Sequence, residues 1–217
     1  MKKIFDMDGG LMTFLSRIAD LLILNVIFII TCIPIITIGP ALTALYSVTL
    51  KMVKNEDAYI FKSYLKAFKD NFKISLFAWL ILLFAFGLLY ADYRISGTFS
   101  GSIKTVLTVA FLAVLMICLM VTLYLFPYIA RFTNTLKDSF KNALLLAIAS
   151  LPFTVLLVVI TGGVAWLSLY VIPSPHAILI WLCLGFALLA FVNSFIFRKV
   201  FAKYEPTTEE TDDNLNQ

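Results

Sequence analysis

Five long apolar runs, at 21–38, 74–91, 105–130, 143–172 and 177–197, decide what this chain can fold into. A helix needs about 20 apolar residues to cross a bilayer core, with roughly 17 to 25 the usual range. Three of the runs fit directly, and 105–130 fits with tilt. The run 143–172 is too long for one straight crossing; Pro152 near its start supplies a natural kink, and 143–151 is expected to lie partly in the interface. The runs are continuous, whereas barrel strands alternate, so they read as helices. Composition agrees: 61% of the 217 residues are hydrophobic and 14% charged, against about 45–50% and about 25% in soluble domains. One soluble core of this size cannot hide so much apolar surface.

The expected fold is therefore all-α: a polytopic membrane bundle of about five transmembrane helices with amphipathic cytoplasmic elbow helices, occupying residues 1–204 as one domain. The tail at 205–217, EPTTEETDDNLNQ, is acidic and nearly free of apolar residues, so it is expected to be disordered. The first apolar run is too long for a cleaved signal peptide, and no small-residue cleavage site follows it.

Lysine and arginine set the orientation. Lys51, Lys54, Lys62, Lys66, Lys69 and Lys73 follow the first run, Arg131, Lys137 and Lys141 the third, and Arg198, Lys199 and Lys203 the fifth; the two other connections hold only Arg94 and Lys104. Basic loops stay cytoplasmic, which places the C-terminus inside and, with five crossings, the N-terminus outside. Lys2, Lys3 and Arg17 pull against the last step. The alternative makes residues 21–53 a re-entrant element with the N-terminus inside. Tyr90, Tyr93, Trp166, Tyr170 and Trp181 mark the outer boundary, and Trp79, Tyr124, Tyr128 and Tyr204 the inner one.

The stretch CIPIITIGPALTALYSVTLKMV, 32–53, interrupts apolar sequence with two prolines and a glycine. A helix ending near Ile38, a turn at Gly39 and a new helix from Ala41 to Val53 redirect the chain at the inner interface, with Pro40 in a first turn that does not need its missing N–H. Residues 55–73 then form a basic amphipathic helix, with Phe61, Tyr64, Leu65, Phe68 and Phe72 on one face and Lys62, Lys66, Lys69 and Lys73 on another, suited to lie along anionic headgroups. A shorter echo, LKDSFK at 136–141 against FKDNFK at 68–73, suggests a parallel internal repeat of two helix hairpins.

The blocks PIITIGPALTALYSVTLKMV, FKSYLKAFKDNFK and FPYIARFTNTLKDSFKNALLLAI resemble the YesL-like family of bacterial membrane proteins of unknown function, over about Arg17 to Arg198. Thr37, Gly39, Pro40, Leu45 and Tyr46 belong to its most specific block. The resemblance implies a location in the bacterial plasma membrane and, because such proteins are often encoded beside carbohydrate-uptake and two-component sensing systems, a role near sugar transport with a permease or sensor protein as partner. It supplies no catalytic residue. The acidic tail departs from the family pattern.

The remaining candidates are polar residues in or beside the spans. Arg17 and Asp20, three apart, form either a gate for a polar solute or a local neutralising pair. Asn25 and Asn193 are candidates for a polar pocket or for interhelical hydrogen bonds. Gly162 and Gly163 suggest a close helix approach. Cys32, Cys118 and Cys183 are far apart without ligand spacing, and His176 is the sole histidine, so no metal or cofactor is expected. No acidic or basic residue lies deep in a span, which counts against active transport. No nucleophile–base set or phosphate-binding loop appears, so an enzyme is not expected, and no water-facing basic module suggests nucleic acid. The leading expectation is an accessory or regulatory membrane protein associated with carbohydrate uptake. The alternative is a small-solute channel or carrier acting as a homo-oligomer, with Arg17, Asp20, Asn25 and Asn193 along its path.

Overall fold

The computed structural model describes residues 5–56, 59–96, 102–170 and 174–204, and the apolar runs become nine α-helices within them. The first, α1 (Phe5–Cys32), stops two residues short of Pro34, because the position before a proline resists helical backbone. A single 3₁₀ turn, Ile35–Thr37, reverses the chain into α2 (Ile38–Val53). Thr37 closes this turn. Its hydroxyl donates to the Thr31 and Pro34 carbonyls at 2.7 and 2.8 Å, and its amide to the Pro34 carbonyl at 2.9 Å, satisfying acceptors that a helix end leaves open.

The other end of α2 carries a Schellman cap. Asn55 adopts a left-handed φ of 56°; its amide bonds the Met52 carbonyl at 3.1 Å, and the Glu56 amide bonds the Lys51 carbonyl at 3.1 Å. Asparagine tolerates this conformation better than other residues with a Cβ. After the cap come the amphipathic α3 (Ile60–Asp70), then α4 (Phe72–Ser96) and α5 (Ser102–Arg131). Next are α6 (Leu136–Ala149) and α7 (Leu151–Tyr170). The short α8 (Ser174–Ile180) runs through a π-helical turn, Trp181–Gly185, into α9 (Phe186–Phe201).

Among the described residues six helical segments are long and apolar enough to cross a membrane: 12–32, 35–53, 72–95, 104–131, 151–170 and 175–201. The sixth, relative to the five expected, is the stretch 35–53, read from sequence as a short redirecting helix. Within the protein 56% of that segment is buried, against at most 22% of any other. Helix α2 is thus the centre of the bundle, packed against α9, α3, α5, α4 and α1.

Helices α1 and α2 form an antiparallel hairpin. At its open end the Arg17 guanidinium reaches the Met52 carbonyl and the Asn55 side chain, both at 2.8 Å, and Arg198 of α9 reaches the Val53 carbonyl at 3.0 Å. The five-span reading put Arg17 across the membrane from Lys51 and Arg198. These bonds correct it: the start of the first span, the end of α2 and the end of α9 share one end of the bundle.

Other expectations shift in detail. The run 143–172 breaks at Ser150 rather than kinking at Pro152, which sits in the first turn of α7 where its absent N–H costs nothing. Thr154 ties the break together by donating to the Ala147 and Ser150 carbonyls. A Cβ on Gly162 or Gly163 would meet nothing within 4 Å, so neither marks a close approach. FKDNFK spans the junction of α3 and α4, whereas LKDSFK opens α6; the two copies fall at different places in their helices. The tail at 205–217 lies outside the described residues.

Candidate functional site

Polar groups within the bundle are organised around α2. Thr43 pairs with Ser75 of α4 at 2.8 Å, and Thr49 pairs with Ser194 of α9 at 2.8 Å, all four side chains fully buried. Tyr64 of α3 shares a 2.6 Å bond with Thr31 of α1 and approaches the Ala41 carbonyl at 3.4 Å. Tyr124 of α5 meets Thr154 of α7 at 2.9 Å. Each hydroxyl solves the same problem: in an apolar surrounding an unpaired polar group is costly, and a neighbouring helix is the nearest partner.

The family block sits at the tightest point. Gly39 is buried, and a Cβ there would lie 2.5 Å from both the Ser75 carbonyl oxygen and the Trp79 Cβ. Its role is close approach to α4; no left-handed backbone requires it, contrary to the turn role expected from sequence. Trp79 completes the contact by donating from its indole to the Ile35 carbonyl at 2.8 Å. Pro40 is buried in the first turn of α2. Leu45 is buried, and Tyr46 meets Phe197 edge-on at 5.6 Å.

Asn25 is fully buried and makes three bonds, two to the π-helical segment and one to the start of α9. Its Nδ2 donates to the Trp181 and Leu182 carbonyls at 3.0 and 2.8 Å, and its Oδ1 accepts from the Ala187 amide at 3.0 Å. A π turn breaks the regular i→i−4 ladder, and Asn25 supplies the missing partners from another helix. Trp181 folds back over Gly185, where a Cβ would stand 2.6 Å from the indole. Asn193 points elsewhere: its Nδ2 donates to Thr161 of α7 at 3.3 Å, and its buried Oδ1 has no partner. The two asparagines do not line one pocket.

The open end of the hairpin forms the second polar place. Arg17 turns to α2, so the local pair expected with Asp20 does not form. Arg17, Asn55 and Arg198 border a cleft of about 610 Å³ between α1 and α9, with Phe14, Leu188 and Phe195 on its walls. Neither Asn55 nor the pairing of Arg17 with Arg198 was visible in the sequence; the turn-prone Lys54-Asn55 after an apolar helix is the one local signal.

On the elbows, Lys62, Lys66, Lys69, Lys73, Arg131, Lys137 and Lys141 are all exposed. Helix α3 turns Ile60, Tyr64 and Ala67 inward, while Phe61, assigned to the same apolar face from sequence, is exposed. Burial raises the Tyr64 phenol above its ordinary value; the Thr31 hydrogen bond opposes this and Cys32 adds to it. Thr135 caps α6 by accepting from the Asp138 amide. Asn134 and Asn142 both donate to the Tyr128 hydroxyl at the end of α5, a cluster not singled out from sequence. Among the described residues no group of histidine, cysteine, aspartate or glutamate is placed to hold a metal.

Residues 21–93 match the family described as "Protein of unknown function, DUF624". Over 159 residues, 73% of this chain and 75% of the relative, the sequence is 27% identical to the uncharacterized protein YesL of Bacillus subtilis (strain 168). No solved structure matches. The family match spans α1 from Leu21, all of α2 and α3 and nearly all of α4, the elements that hold Gly39 and the Thr43–Ser75 pair. On both comparisons this helical chain is similar to YesL-like proteins, whose function is unknown.

Proposed function

We propose that the protein is an accessory or regulatory component of the bacterial plasma membrane, acting by contact with a permease or sensor protein in carbohydrate uptake, and that it is not an enzyme. The observation that carries this reading is the division of its polar side chains. Within the bundle the hydroxyls and Asn25 are taken up by neighbouring helices, an arrangement that favours rigid packing over a solute path. Apart from Arg94 and Lys104 beside the α4–α5 connection, the exposed cations among the described residues lie on the elbows and at the end of α9, where a partner or anionic headgroups can reach them. The sugar connection rests on the company that the family resemblance implies.

The shared end of α1, α2 and α9 carries Arg17, Lys51, Lys54 and Arg198. The positive-inside tendency assigns this end to the cytoplasm, so the chain crosses six times with both termini inside. Reporters fused to each terminus test the topology, and an external signal from the N-terminal fusion overturns it. Co-purification from gently solubilised membranes tests the function. Recovery with a permease or sensor subunit is expected; recovery of the protein alone overturns the reading, as does sugar flux into liposomes carrying this chain alone.

A further inference from the structure

The cleft between α1 and α9 combines two things that rarely meet without a ligand. Its walls are apolar, with Phe14 and Phe195 well exposed, yet Arg17 and Arg198 stand at its border. Among the described residues no carboxylate lines it. Both guanidiniums are anchored: Arg17 spends two donors on Met52 and Asn55, and Arg198 one on Val53. A guanidinium has five N–H donors, so both retain unused ones while held at fixed positions. Two positive charges braced side by side at the mouth of an apolar cleft repel one another and attract an anion. The molecule that answers both features has an anionic head and an oily chain.

We propose that this cleft is a binding site for one anionic phospholipid, its phosphodiester held between Arg17 and Arg198 and an acyl chain laid along the apolar walls between α1 and α9. Arginine forks suit phosphate oxygens, and the apolar walls require a chain that free phosphate lacks. The site differs from the exposed lysines of α3, which attract any anionic surface without enclosing a molecule. The inference rests on the membrane reading but on no protein partner, so a failed co-purification leaves it standing and a failed lipid test leaves the partner reading standing.

The test is lipid retention by the full chain, purified in mild detergent, exchanged against phosphatidylglycerol or phosphatidylcholine and weighed by native mass spectrometry. One phosphatidylglycerol per chain is expected, with phosphatidylcholine retained at least tenfold less. Arg17→Gln and Arg198→Gln should each lower retention at least tenfold. Because both arginines also brace the end of α2, Leu188→Trp provides a second variant that fills the cleft and leaves them in place; it should lower retention equally. Lys66→Gln with Lys69→Gln on α3 should leave it unchanged. Equal retention of the two lipids overturns the proposal, as does undiminished retention in Leu188→Trp. So does displacement of the lipid by millimolar inorganic phosphate, an equal loss from the α3 variant, or a lipid-free dimer that buries the cleft.

Discussion

Replacing Asn25 by leucine, which keeps the branching and the number of side-chain heavy atoms but is bulkier, removes the polar work of this residue, and the same change at Asn193 controls for the added bulk. The change deletes three hydrogen bonds, of 3.0, 2.8 and 3.0 Å, and leaves the Trp181 and Leu182 carbonyls and the Ala187 amide without that partner. A typical net hydrogen bond contributes about 0.5–1.5 kcal/mol, and interhelical bonds in membrane proteins average about 0.6 with a maximum near 1.7. Three together give about 2–4 kcal/mol, and a middle value of ~3 kcal/mol is a factor of about 150 in an equilibrium constant. Two measurements read this. Reversible unfolding in mixed micelles should show the loss of stability, and hydrogen exchange should show the Ala187 amide opening about a hundredfold more often, on the order of the same energy. Asn193→Leu is the internal control. That asparagine makes one long bond, at 3.3 Å, and buries an Oδ1 without a hydrogen-bond partner, so its replacement should cost clearly less than that of Asn25. If the two variants behave alike, or if Ala187 exchanges at its original rate in Asn25→Leu, the assignment of Asn25 as the partner of the π segment is wrong.

Gly39→Ala should cost about 1–3 kcal/mol in the same unfolding assay, because the new methyl meets the Ser75 backbone oxygen at 2.5 Å and one helix must move; an unchanged midpoint would refute the close approach. A cycle of Thr49→Val and Ser194→Ala should give a coupling of about 0.6 kcal/mol, up to about 1.7, since the two hydroxyls stand 2.8 Å apart; additive costs would deny the pair. Tyr64 is held neutral by burial, which raises its pKa in the folded state. Its contribution is therefore complete below the unfolded value of about 10 and is lost as pH rises beyond it. Proteolysis of the α2–α3 connection should accelerate above about pH 10, and Tyr64→Phe should remove that acceleration.

Much of the fold could be read from sequence because hydrophobic length is a one-dimensional property. The runs at 74–91, 105–130 and 177–197 became α4, α5 and α8–α9 with their ends moved by a few residues. The exposed lysines of α3 were legible for a similar reason, since charge and period 3.6 appear in any window. The failures share a different cause. Residues 38–53 carry enough threonine, glycine and serine to look like a surface or interfacial piece, yet that composition is what a helix at the centre of a membrane bundle needs. Small residues let neighbours approach, and hydroxyls pair across the contact. Ala41, Ala44, Thr43 and Thr49 are all fully buried, and nothing local distinguishes a Thr43 that meets Ser75 from one that meets water. The position of Arg17 was not legible because its partners, Met52 and Asn55, lie 35 and 38 residues away; an odd count of spans set it at the opposite end.

The same logic says where to look for function in this architecture. A central helix held by side-chain bonds to α1's partner Tyr64, to α4 and to α9 has little freedom to slide, because each step would break a buried pair. On the regulatory role proposed above, a signal would enter at the ends of α2, where the restraints differ. At the turn, Gly39 is locked against Ser75 and Trp79 by contact, and displacement there meets backbone. At the other end the Schellman cap is held by two arginine side chains reaching in from α1 and α9, and side chains exchange partners readily. An acidic segment that drew those guanidiniums off the cap would loosen the end of α2 next to the connection that leads to α3, whereas a lipid phosphate bound by their spare donors leaves the cap braced. Because α3 packs on α2, the proposed role predicts that loosening the cap shifts the lysine-bearing face of α3.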